Sequence, residues 1–182
     1  MIFFFILLVL IFIAQIAEFF IPPLEWMFNA HVYIVPVIVF YGAMVLPFPL
    51  MLALALYAGA LLDALTVQVI GSRVEISLGS SILVYAVLAG IMHGFRPLFI
   101  RGRWEVHCIL SGICTSALIL AQYLMITFRR GSIFFSQEVW WQIGGPGLIA
   151  MLISPLLFWM LHWLAGATAY PYLPGRSRLD FE

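Results

Sequence analysis

Residues 2–21 form an apolar run broken by one charged group, Glu18, and five further runs of the same character follow it. No other feature constrains the chain as tightly. In lipid every backbone N–H and C=O has to be satisfied internally, so segments of this kind fold as helices. A helix needs about 20 residues to cross a hydrocarbon core about 30 Å thick. The runs fall at 2–21, 32–46, 48–70, 77–95, 106–128 and 143–165. The expected fold class is an all-α integral membrane protein with six transmembrane helices. Residues 1–182 form one membrane domain, and 167–182 are an extended tail rich in Tyr and Pro. Composition agrees, with 65% apolar and 9% charged residues, against about 45–50% and 25% in a soluble domain. Mean hydropathy is +1.13. Roughly 60 residues remain outside the spans, too few for a separate soluble domain.

Punctuation and charge refine this layout. The first run lacks the basic segment and small-residue cleavage site of a signal peptide, so it is expected to remain as a span. Pro22-Pro23 end it. Pro36 is expected to kink or tilt the second run, and Pro47-Phe48-Pro49 make a tight connection into the third. Eight arginines and no lysine stand against eight acidic residues, which gives no electrostatic reason to expect nucleic acid as a partner. With the N-terminus in the cytoplasm, Arg96, Arg101, Arg103, Arg176 and Arg178 fall inside, and Arg73, Arg129 and Arg130 outside. Five against three favours both termini in the cytoplasm. Arg96, Arg101 and Arg103 form a basic loop that meets anionic lipid or a cytoplasmic partner. Phe134, Phe135, Trp140 and Trp141 make an aromatic outer segment at headgroup level.

Asp63 is the one charge within the run 48–70. A charge at a helix centre costs about 2.5–3.5 kcal/mol on insertion scales, so Asp63 should face protein. It continues an i, i+4 stripe of Ala55 and Gly59, and Ala86, Gly90 and Gly94 repeat that spacing in the fourth run. Two small-residue stripes on consecutive helices are expected to pack together. Asp63 then reads first as a polar anchor, with a proton or substrate site as the competing role. Arg73, Ser80, Ser81 and Tyr85 are its candidate partners. His31, His93, His107 and His162 all fall at predicted span ends and read as interfacial. Cys108 and Cys114 lie on different faces of one helix and read as small core residues. No catalytic motif, cofactor fingerprint or zinc spacing is present, so no catalytic, cofactor or metal residue is assigned.

The stretch Gly59-Ala60-Leu61-Leu62-Asp63 closing the third run resembles the rod shape-determining protein MreD family. Leu78-Gly79 in the outer loop, Ala89-Gly90 in the fourth run and Pro155-Leu156-Leu157-Phe158 in the sixth fit the same pattern. The outer segment 67–79, with Gln68, Arg73 and Glu75, is longer and more charged than the family's usual linker. The resemblance implies a non-enzymatic scaffold of the bacterial cell-elongation complex in the inner membrane. Its partners would be MreC, with MreB and the elongation glycan polymerase and transpeptidase. It also implies a compact bundle similar to the substrate-binding subunit of energy-coupling-factor transporters, with an outward cavity. A vitamin-type transporter subunit is the alternative. Such subunits carry an Ala-x-x-x-Ala docking motif, whereas Ala14 and Ala17 here are spaced one residue short.

Overall fold

The computed structural model describes residues 2–25, 30–66, 69–70, 73–74, 79–97, 104–130 and 136–168. Six helices of more than ten residues form among them: α1 (Ile2–Phe20), α2 (Val35–Val45), α3 (Phe48–Thr66), α4 (Ser80–Gly94), α5 (Trp104–Arg130) and α6 (Gln137–Ala167). Val69–Ile70 and Arg73–Val74 pair as a two-residue antiparallel ladder between α3 and α4.

Among the described residues α1, α3, α5 and α6 are long and apolar enough to cross a membrane, and α2 and α4 are shorter apolar helices of 11 and 15 residues. Six helices form where six apolar runs were expected, and α2 is shorter than a full span. The reason lies in its packing. All of its residues are buried, and α1, α3, α4, α5 and α6 each pack against it. A helix that is apolar all round belongs in a core. At 1.5 Å per residue α2 is about 16 Å long, roughly half a hydrocarbon core. Its ends therefore stop inside protein, and side chains from other helices have to satisfy them.

They do so with the polarity the helix dipole favours. At the N-terminus, Glu18 Oε1 accepts from the main-chain N–H groups of Ile34 and Val35, the latter at 2.6 Å. At the C-terminus, His93 Nδ1 donates to the Ala43 carbonyl at 2.7 Å, and Arg96 Nη2 lies 3.5 Å from the Val45 carbonyl. Pro36 occupies the first turn, where a missing N–H costs nothing because those donors have no partner within the helix. It starts α2; it does not kink it.

The helices α3 and α4 touch through backbone. A Cβ built on Gly59 would lie 2.5 Å from Ile82 Cα and 2.7 Å from Ile82 N. Ala55, Gly59 and Asp63 are all buried, as the spacing on α3 predicts. On α4 the close contact falls at Ser81 and Ile82, and Gly90 and Gly94 of the expected stripe do not make one. The buried face of α4 is Ser81, Val84, Tyr85, Leu88, Ala89 and Met92. Ala86 and Gly90 are half-buried, Gly94 is exposed, and a Cβ on either glycine would meet nothing within 4 Å. In a uniformly apolar helix a four-residue spacing of small residues exists on several faces. Only the partner's shape selects one. Gly90→Ala should thus raise stability by about 0.5–1 kcal/mol through lost backbone freedom in the unfolded chain. A thermal melt showing a lower midpoint would contradict the open surroundings of Gly90.

A second close contact joins α5 to α6. A Cβ on Gly112 would sit 2.8 Å from the Gly147 carbonyl oxygen, and one on Gly147 would overlap the Ser116 hydroxyl. Ser111 Oγ and Ser154 Oγ share a hydrogen bond of 3.0 Å in the same seam. Cys108 and Cys114 are buried free thiols, as expected of core residues. His107 departs from its interfacial reading: it is fully buried, with its ring centroid 5.8 Å from that of Tyr41 and 5.8 Å from that of Phe158. The position one turn into α5 looked like a span edge only because the run was counted from residue 106.

Candidate functional site

The end of the bundle where α1, α3 and α5 finish and α4 begins holds the buried polar groups Gln15, Asp63, Ser81 and Thr127. Asp63 is 1% exposed there. Its Oδ2 accepts from the Gly79 N–H at 2.7 Å and its Oδ1 from the Ser81 N–H at 3.2 Å. Gly79 is the N-cap of α4 and has φ 105°, left-handed backbone that a residue with a Cβ adopts only under strain. A glycine cap has no side chain to offer the first free N–H groups of the helix. Asp63 supplies that cap from the neighbouring helix. A carboxylate at a helix N-terminus also meets the positive end of the dipole. Among the four partners expected from sequence, Ser81 contributes through its main chain. The Arg73 side chain lies outside the described residues.

The same device occurs on α1, and sequence reasoning missed it. Glu18 caps α2 as Asp63 caps α4, and each carboxylate reaches a main-chain N–H 16 residues further on. An acid in the last turn of one apolar run, with the next run starting about 16 residues later, was the available signal. The two caps differ in one respect. Both N–H groups at α2 converge on a single oxygen of Glu18, whereas Asp63 uses both of its oxygens. An amide oxygen has two lone pairs. Glu18→Gln should accordingly keep both main-chain bonds, lose only the long contact of Oε2 with Gln15 Nε2, and cost about 1 kcal/mol, while Glu18→Ala costs about 2–3 kcal/mol. Equal losses in the two variants, measured by unfolding in mild detergent, would contradict this geometry.

Between these caps lies a cavity of about 880 Å³, lined by the ends of α1, α3 and α5, the start of α4 and residues 21–23 and 31–33. Phe19, Leu65, Met125 and Phe128 give it apolar walls, and Gln15, Glu18, Tyr33, Ser81 and Gln122 its polar ones. Gln122 Nε2 donates to Ser81 Oγ at 3.3 Å, tying α5 to the capped end of α4.

No protein-family model, no curated protein and no solved structure matches this chain. Its chemistry therefore rests on its own geometry. Among the described residues no three His, Cys, Asp or Glu side chains come close enough to hold a metal ion. Asp63, with both oxygens engaged by main chain, is a fixed cap. At the opposite end Arg96 is half-buried beside the C-terminus of α2, while Arg101 and Arg103 lie outside the described residues. Trp140 and Trp141 are 61% and 41% exposed in the first turns of α6; Phe134 and Phe135 lie outside the described residues.

Proposed function

We propose that this chain is an inner-membrane scaffold of the MreD type. It binds MreC and, through it, supports the lateral peptidoglycan synthesis that sets cell shape. The observation that carries the reading is the use made of the stretch 59–63. Gly59 lets α3 and α4 meet, and Asp63 caps α4. The residues on which the resemblance leans are thus spent on architecture, as befits a scaffold without a reaction to catalyse. All six helices lie in the bilayer, with both termini in the cytoplasm and the capped end facing outward. The apolar exterior supports that placement: Phe5, Val9, Phe12, Leu152, Leu156, Trp159 and Trp163 are all exposed, and a surface of this kind suits lipid better than water. MreB and the elongation polymerase and transpeptidase are reached through the inner basic loop and through MreC.

In this reading the transmembrane helix of MreC docks against the outer half of α3 and α4, where Ala60, Ala64 and Leu83 are exposed. Close approach of helices in lipid depends on small residues of this kind. Ala60→Phe and Ala64→Phe should abolish co-purification with MreC while leaving the chain folded. An intact complex after bulky substitutions all round the outer half would sink the proposal.

The cavity favours a second reading, a substrate-binding subunit of a vitamin-type transporter. The first helix speaks against it. Ala14 is buried in the core and Ala17 is exposed, so the two do not present one docking face. Co-purification with a coupling module in place of MreC would decide for transport.

A further inference from the structure

The cavity at the capped end contains a polar atom that the fold leaves unused. Gln15 is 6% exposed and lines the cavity. Its Nε2 lies 3.5 Å from Glu18 Oε2, the arrangement that suits an ionised carboxylate, which accepts and does not donate. Its Oε1 is then buried with no hydrogen-bond partner among the described residues. A buried carbonyl oxygen left unpaired is costly, and natural cores keep few of them. The charged group nearest to it is acidic: Glu18 stands in the wall beside Gln15, and His31 is the one basic side chain of the described lining.

We propose that this cavity binds a small uncharged or cationic molecule that donates an N–H or O–H to Gln15 Oε1. The volume falls in the range of small-molecule sites, about 300–1,000 Å³. Phe19, Leu65, Met125 and Phe128 receive the apolar body of the ligand. An anionic head is disfavoured beside Gln15, because Glu18 is the charged group nearest to it and would repel it. This inference is independent of the scaffold reading: a scaffold with an occupied cavity and a transport subunit would show the same binding. The donor can come from a free metabolite or from the ammonium of a phosphatidylethanolamine lipid.

The test uses three indole probes that share one apolar body: tryptamine with an ammonium head, tryptophol with a hydroxyl and indole-3-acetate with a carboxylate. Each is titrated against the full chain in phosphatidylcholine nanodiscs. Tryptamine and tryptophol should bind about ten-fold or more tighter than indole-3-acetate, and Gln15→Leu should weaken both by about ten-fold. Leu65→Trp, which fills the cavity from an exposed position, should remove binding while helix content is unchanged. Nanodiscs containing phosphatidylethanolamine assign the source. Weaker tryptamine binding there identifies the lipid as occupant, and unchanged binding a free molecule; either result supports the donor class. Equal affinity for all three probes, no binding, or full binding by Gln15→Leu would overturn the proposal and leave the cavity to water.

Discussion

Asp63→Ala is expected to destabilise the protein by about 2–4 kcal/mol, the cost of losing a cap that covers two N–H donors. The Gly79 and Ser81 N–H groups would lose their side-chain acceptor at a helix end where Asp63 is 1% exposed. Asp63→Asn should fall between the variant and the native chain. Its single oxygen replaces one bond, and its NH₂ group then faces the other N–H, donor against donor. This ordering separates Asp63 from Glu18, where the amide variant is expected to be nearly neutral. Unfolding in mild detergent, followed by circular dichroism, reads both series. If Asp63→Asn behaved like native protein, the two-oxygen cap would be wrong. If Asp63→Ala assembled with native stability but lost function, Asp63 would be a proton or substrate site.

Gly59→Ala carries the other large effect. The added methyl meets backbone at 2.5 Å and 2.7 Å, so no side-chain rotation relieves it. The helices α3 and α4 have to move apart, at about 1–3 kcal/mol for overpacking of this kind and more for Gly59→Leu. The shift also reaches Asp63, one turn further along, and lengthens its bonds to Gly79 and Ser81. Gly59→Ala and Asp63→Ala should therefore combine to less than the sum of their separate costs, because each removes part of what the other depends on. Strict additivity in a double-mutant cycle would show that seam and cap are independent.

Several features were legible before any fold was known. Apolar runs located six helical segments, because backbone in an apolar setting has few alternatives to a helix. The stripe Ala55–Gly59–Asp63 was readable because a charge in an apolar run has to turn toward protein. Its counterpart on α4 was misplaced to Ala86, Gly90 and Gly94, since residues of one apolar kind cover every face and give the period nothing to contrast with. The seam of Gly112, Ser116 and Gly147 went unread for the same reason.

Local patterning decides that a segment is a helix and that Asp63 is inside. Which group Asp63 meets, which helix is central and whether a cavity remains depend on contacts between segments far apart in sequence. Glu18 shows the difference plainly. On its own run it is an acid near a span end, and only the arrival of α2 makes it a cap. The helix α2 reads as an ordinary short span until five neighbours enclose it and supply partners for both ends. Helix propensity and burial act over one or two turns, so they are written along the chain. The satisfaction of a helix terminus is a relation between two elements, and it exists only once they have packed.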